Sequence, residues 1–191
     1  MILGKKGSQA IRLTKSEIRS KILVRLKTQK EEERKTRSRV IKNKLFKTRV
    51  FKKAKTVMFY MSIGGEVNTK EMIQEAIKLG KKAVVPVCRK YRMMRACFLG
   101  YKEELVRGPY GIGEPAVKKN VRLKDLDLVL VPGVAFTKKG ARLGRGKGYY
   151  DRFLNRLPKK VTSVGLAFSF QILPSLPTGR GDVSVSRVIF A

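Results

Sequence analysis

Ten consecutive residues, Arg142-Leu-Gly-Arg-Gly-Lys-Gly-Tyr-Tyr-Asp151, bring three alternate glycines, three cations, two tyrosines and one carboxylate together without a gap. Glycine tolerates φ > 0 and a close backbone approach, so Gly144, Gly146 and Gly148 are read as turning N–H groups toward phosphate oxygens. Arg142, Arg145 and Lys147 supply the countercharge. From Tyr149 the spacing becomes helical, with Tyr150, Phe153, Leu154 and Leu157 on one face, which sets the loop at the positive N-terminus of a helix. Asp151, in the first turn, then suits Mg²⁺. The segment therefore demands a loop followed by a helix, and reads as a polyphosphate cradle ending in a metal ligand.

Two better-known phosphate loops are near misses. Ala141-x₄-Gly146-Lys147 approaches a Walker A pattern, but Gly148 stands where a Ser or Thr should meet the metal. A dinucleotide fingerprint needs G-x-G-x-x-G directly after a strand, whereas these glycines alternate and the nearest predicted strand ends near Pro132. The remaining alternative is a basic, glycine-rich surface turn before an amphipathic helix. The Tyr-Tyr-Asp continuation weighs against it.

With 191 residues, 42% of them hydrophobic, the chain suits one sizeable core and is expected to form a single α/β domain over 1–191, with 1–54 as helices packed on it. No apolar run approaches the length of a membrane span, and the basic N-terminus lacks the apolar stretch of a signal peptide, so a cytoplasmic protein without a membrane partner is expected. Cys88 and Cys97 fit no CxxC pattern and read as reduced core residues. The chain has no histidine, which excludes a Ser-His-Asp arrangement and any His-ligated zinc site.

Net charge is the second large feature: 45 Lys and Arg against 14 Asp and Glu give +31. Residues 1–55 hold 20 basic and 4 acidic side chains, so 20 − 4 = +16 lies there. The region reads as helices. Thr14 with Glu17 and Thr28 with Glu31 have capping-box spacing, and apolar residues recur at Ile18, Ile22 and Leu26, then at Val40, Ile41, Leu45 and Phe46. A basic nucleic-acid surface is one reading of the charge, yet the cations lie on many helix faces and no RNP-like or zinc-finger pattern accompanies them, so no specific nucleic acid is expected. A solvated basic surface of the thermostable kind is the other, and both are compatible with attraction of anionic small molecules.

From residue 55 strand and helix alternate. Thr56–Met61 reads as a buried strand, Thr69–Leu79 as a helix stopped by Gly80, and Ala83–Val87 as the next strand. Met93–Leu99, Leu126–Val131, Val161–Phe168 and Val183–Phe190 supply further strands. Arg107-Gly-Pro-Tyr-Gly-Ile-Gly-Glu-Pro115 reads as a turn-rich loop forming a lid or pocket wall. The fold class expected is a three-layer α/β/α sandwich with a mostly parallel, Rossmann-like sheet and an N-terminal helical hairpin.

Taken in order, Lys15-x-x-x-Arg19, Glu66-Val-Asn-Thr69, Gly-Ile-Gly-Glu-Pro115, Leu130-Val-Pro-Gly-Val-Ala-Phe136, the glycine-tyrosine segment and Gly181-Asp182 make the chain resemble the 5-formyltetrahydrofolate cyclo-ligase (5,10-methenyltetrahydrofolate synthetase) family over nearly its whole length. The resemblance implies that ATP, as co-substrate with Mg²⁺, phosphorylates the formyl oxygen of 5-formyltetrahydrofolate, after which N10 closes the ring and phosphate leaves. That is a task of positioning and electrostatics, which a chain without histidine can perform. It also implies ATP contacts from Lys15, Arg19, Arg142, Leu143, Gly144, Arg145, Gly146, Lys147, Gly148, Tyr149 and Tyr150. Met61 and Glu66 would face the folate, Glu66 at the donor edge of the pterin, with Arg145, Gly146, Lys147, Gly148 and Tyr149 bordering the formyl group. Arg145, Lys147 and Tyr149 would be the catalytic residues, and Asp151 and Asp182 the metal ligands. A monomer or weak dimer is expected.

Read without the resemblance, Lys15 and Arg19 are cations on a basic helix, Met61 is core, and Glu66 and Asp182 are turn acids. The chain also departs from the family. Where the family carries a His-Asp pair and a further Asp four residues on, this chain has Gly181-Asp182 and then Ser186. The competing readings are a non-catalytic RNA-binding protein using residues 1–55 and the Arg142–Lys147 loop, and a kinase or ATPase with another acceptor. The thinned acidic cluster carries a prediction: Asp151→Asn abolishes turnover while Asp182→Asn has a milder effect. Equal losses in steady-state assays would make Asp182 a full ligand.

Overall fold

Strands of a parallel sheet covered on both faces must carry apolar side chains in both directions. This chain alternates them strictly. In the computed structural model, which describes residues 13–89, 91, 93–108 and 111–191, Val57, Phe59, Ala83, Val85, Leu128, Leu130, Val164 and Leu166 belong to one core cluster. Their neighbours Met58, Val84, Val129, Val131 and Ala167 belong to a second.

The elements run α1 (Lys15–Thr28), α2 (Glu31–Lys47), α3 (Arg49–Lys53), β1 (Thr56–Met58), α4 (Lys70–Lys78), β2 (Lys82–Cys88), β3 (Met94–Phe98), β4 (Leu105–Arg107), β5 (Gly113–Pro115), β6 (Asn120–Val121), β7 (Leu128–Val131), β8 (Ala135–Phe136), β9 (Arg142–Leu143), α5 (Tyr149–Leu154), β10 (Thr162–Ala167) and β11 (Arg187–Phe190). Seven strands form one sheet in the order β11-β10-β7-β1-β2-β3-β6. The run from β11 to β2 is parallel, and β3 and β6 are added in antiparallel pairings at one edge. This is the mostly parallel α/β sheet expected. The two helical layers are unequal: Leu26, Ile41, Leu45, Phe51, Met72, Ile73 and Ala76 bring α1 to α4 onto one face, whereas the six-residue α5 brings Phe153 and Leu154 to the other.

Local chemistry explains most boundaries. Thr14 caps α1 through a complete capping box with Glu17. The second expected box does not form, because α1 runs on to Thr28, whose hydroxyl donates back to Val24 O at 3.1 Å. Lys30 becomes the N-cap of α2, without a side-chain bond, and Glu31, Glu32 and Glu33 fill its first turn instead. β1 is shorter than the predicted Thr56–Met61: one more ladder bond runs from Phe59 N to Val84 O (2.8 Å), and the chain then leaves the sheet. The strand predicted over Val183–Phe190 shortens to Arg187–Phe190, since Val183 N and Val185 N bond to Asp151 and Gly140 O rather than to a ladder.

The predicted loop at 107–115 is in part a hairpin, with Leu105, Val106 and Arg107 opposite Pro115, Glu114 and Gly113. Pro109 and Tyr110 lie outside the described residues, as do residues 1–12 of the basic N-terminal stretch. Cys88 and Cys97 are unpaired thiols on β2 and β3, the first half-buried and the second buried.

Phe51 anchors the helical layer. It is fully buried, stacks on Phe46 with centroids 4.0 Å apart, and lies under the Lys81 ammonium at 4.9 Å. Phe51→Ala is expected to lower unfolding free energy by about 3–5 kcal/mol in urea titrations. Phe51→Leu should cost clearly less.

Candidate active site

Because β7, β1 and β2 are parallel, their C-terminal ends open on the same side of the sheet, which is where ligands bind in open α/β sheets. A cavity of about 270 Å³ lies there. Tyr60, Met61 and Glu66 follow β1, Pro86 and Cys88 come from β2, and Pro132 and Gly133 follow β7. The glycine segment closes it with Arg142, Gly144 to Tyr150, and Asp151. Ile112, next to the β4–β5 hairpin, contributes to the wall that the sequence placed at 107–115.

The loop is built largely as its composition requires. Gly146 (φ 96°) and Gly148 (φ 67°) occupy the left-handed region, and Gly148 is the N-cap of α5. Gly144 does not adopt a positive φ. Its lack of a side chain serves space instead: a Cβ there would lie 2.9 Å from Arg142 Nη1. At six residues α5 is too short for its dipole to dominate, so the positive field of the loop comes from its side chains.

Two buried or half-buried ion pairs organise the site. Arg142, whose side chain is 3% exposed, donates from Nη2 to Asp151 Oδ1 at 2.5 Å, and Asp151 also accepts Val183 N–H at 3.2 Å. Arg142 Nε is buried without a hydrogen-bond partner, an orphaned donor next to the cavity. Arg145 Nε donates to Glu66 Oε1 at 3.0 Å, and Ile63 N–H donates to the other oxygen at 3.1 Å. Burial raises the pKa of Glu66, opposed by Arg145 and the Ile63 N–H. The buried hydroxyl of Tyr150 has no partner and its pKa is driven upward, first by burial and then by the Glu66 charge.

The N-terminal residues singled out by sequence do not line this cavity; Arg19 bonds its loop and Lys15 bonds the C-terminal segment beside it. Arg19 Nε donates to Gly144 O at 2.9 Å, and Lys15 bonds Asp182, which also accepts Gly179 N–H at 2.7 Å. Burial alone would raise the Asp182 pKa, yet Lys15 and the Gly179 N–H bring it below the usual carboxylate range. Leu143 is buried with Ile18 and Ala135, and its carbonyl accepts Val134 N–H at 2.7 Å. Its side chain therefore belongs to the core.

Asp151 and Asp182 are brought into one neighbourhood, since the N–H of the residue after Asp182 bonds Asp151. Among the described residues no three His, Cys, Asp or Glu side chains gather as a metal cluster. Two carboxylates with no soft ligand suit Mg²⁺, which takes one or two carboxylates and completes its shell with phosphate and water. Tyr60, Ile63, Pro86, Cys88 and Met94 also line the cavity and carried no sequence signal beyond adjacency to Met61 or Gly64.

A site of fixed cations, one buried carboxylate and no histidine is equipped to orient an anion and stabilise charge. Comparison with known proteins gives the same direction. The 5-formyltetrahydrofolate cyclo-ligase family model matches residues 12–191. A probable 5-formyltetrahydrofolate cyclo-ligase of Caenorhabditis elegans is 32% identical over 95% of this chain and 94% of its own length. The 5-formyltetrahydrofolate cyclo-ligase of Mus musculus is 31% identical over 91% of both. The NMR structure of Aquifex aeolicus 5,10-methenyltetrahydrofolate synthetase superposes with a TM-score of 0.83 at 36% identity, covering 93% of this chain and 90% of that one.

The burial of Glu66 has a measurable consequence. A raised pKa means that the folded state holds the proton more tightly than the unfolded chain does, so this stabilisation is fully present below the ordinary value of 4.5 and is lost as pH rises through the raised one. Thermal unfolding compared between wild type and Glu66→Gln from about pH 4 to about pH 8 should therefore move against the wild type above 4.5. Parallel curves would show a carboxylate that titrates normally.

Proposed function

The chain belongs to the 5-formyltetrahydrofolate cyclo-ligase family, whose members are ligases, and we propose that it uses ATP to close 5-formyltetrahydrofolate to 5,10-methenyltetrahydrofolate. The observation that carries this reading is that two kinds of group line one cavity: the glycine loop with its cations, and the buried Glu66 bonded to Arg145 of that loop.

In this reading the formyl oxygen attacks the γ-phosphorus and ADP departs. N10 then attacks the formyl carbon, the phosphate leaves, and the N10 proton passes to solvent. Arg145 and Lys147 neutralise the transferring phosphoryl group, and Tyr149 borders the formyl carbon. Gly144, Gly146 and Gly148 let the backbone approach the phosphates, Arg142 and Arg19 hold the cradle in shape, Lys15 holds Asp182, and Lys15 and Arg19 reach the nucleotide from α1. The unpartnered Nε of Arg142 is one donor that a phosphate oxygen would satisfy. Glu66 and Met61 orient the pterin. Mg²⁺ held by Asp151 and Asp182 would supply charge neutralisation at the phosphates. The reaction needs no membrane, and among the described residues no helix is long and apolar enough to cross one.

The test is to mix protein, 5-formyltetrahydrofolate, ATP and Mg²⁺ and follow the near-ultraviolet absorbance of the methenyl product, omitting ATP as control. An ATP-dependent rise is expected, and Glu66→Gln should lower kcat/KM by about 100-fold or more while weakening ATP binding far less. Folded, ATP-binding protein that forms no product would overturn the folate assignment in favour of another acceptor.

A further inference from the structure

Behind the Ile63–Gly64 turn lies a second cavity of about 360 Å³, sharing Ile63 with the first. Its charged lining is Lys27, Arg34, Lys70 and Glu31, so three cations less one carboxylate leave 3 − 1 = +2. Its wall is fixed by contacts that do not use the lysines. Gln29 donates its amide to Leu26 O (2.9 Å) and to Gly65 O (2.7 Å), joining the end of α1 to the turn. Gly65 has φ 83°, and a Cβ there would fall 1.9 Å from Leu26 O, so the backbones meet too closely for any other residue. Arg34 pairs with Glu31 at 2.6 Å and donates to the carbonyl of Glu66 at 3.2 Å.

The ammonium groups of Lys27 and Lys70 have no hydrogen-bond or ion-pair partner among the described residues, whereas Arg34 commits its Nε–Nη2 fork to Glu31 and Nη1 to the Glu66 carbonyl. Two exposed ammonium groups that the fold does not consume, at a polar hollow with a rigid floor, match a compact ligand bearing several negative oxygens. We propose that this cavity is a second anion site, separate from the glycine loop, that takes a diphosphate group. A diphosphate offers an anionic group to each of the two ammonium groups at once, which a single carboxylate does not. The group can come from free pyrophosphate or from a nucleoside diphosphate.

The site lies outside the proposed catalytic chemistry, so its test is arranged to survive failure of that reading. Pyrophosphate is titrated calorimetrically into the full chain carrying a single equivalent of a non-hydrolysable ATP analogue, which leaves one of the two sites open, at about 0.15 M salt, where surface attraction is screened beyond about 8 Å. One equivalent should bind, and Lys27→Gln/Lys70→Gln should weaken it by about tenfold or more. Lys53→Gln/Lys159→Gln removes the same charge from exposed positions elsewhere and should leave it unchanged. No binding, or equal weakening by both doubles, overturns the proposal, the second result meaning diffuse attraction alone. Repeating the titration with ADP identifies the source: ADP binding with the same loss in the first double assigns a nucleotide, and pyrophosphate binding alone assigns the free anion. Should the analogue itself fail to bind, the functional reading above falls. The second site would then still appear as the one of two pyrophosphate equivalents that Lys27→Gln/Lys70→Gln removes.

Discussion

The pair between Arg142 and Asp151 governs the geometry of everything around it. Arg142 lies on β9 and Asp151 in α5, so one bond closes the glycine segment on itself. The same guanidinium reaches Pro132 O at the end of β7, and the same carboxylate holds Val183 N–H of the C-terminal segment. Three stretches distant in sequence are thereby fixed around one side of the cavity. A buried pair of this kind is weak support for net stability, but losing one partner strands the other charge in a poor solvent. Its value here is specificity of shape. It also places a guanidinium and a carboxylate side by side, the groups that phosphate and a divalent cation respectively seek.

The Arg145–Glu66 pair makes the complementary connection, between the loop and the turn that follows β1. It is mixed in energy. Burial penalises the Glu66 charge while Arg145 and a backbone N–H favour it, and burial wins. Arg34 donates to the carbonyl of the same residue from α2, and Arg19 of α1 holds Gly144 O. The basic helical layer is therefore part of the site's scaffold and not only a solvated coat. In a chain with net charge +31, such anchoring uses some of the positive excess where it meets carbonyls and carboxylates.

Several features were legible before any coordinates because their cause is local. The alternation of Val57, Met58 and Phe59 announces a strand covered on both faces, and Thr14 with Glu17 announces the start of α1. Thr28 with Glu31 has the same spacing and failed, since the preceding helix had already claimed Thr28. The hairpin at 105–115 was hidden for a related reason: pairing of Leu105 with Pro115 depends on a partner strand, and turn-forming residues dominate the composition between them. Gly144 shows the opposite case, a glycine needed for room and not for a positive φ.

The sequence by itself determined the α/β class, the place of the glycine loop before a helix and the absence of histidine chemistry, because periodicity, glycine spacing and composition act within a few residues of one another. Only the tertiary structure decided that Glu66 and Arg145 would share a bond, that Lys15 would meet Asp182, and that Cys88 and Ile112 would wall the same cavity. Those contacts join residues tens of positions apart. Those that wall the cavity exist because β7, β1 and β2 run parallel and deliver their ends to one place, a consequence of sheet order that no local pattern encodes.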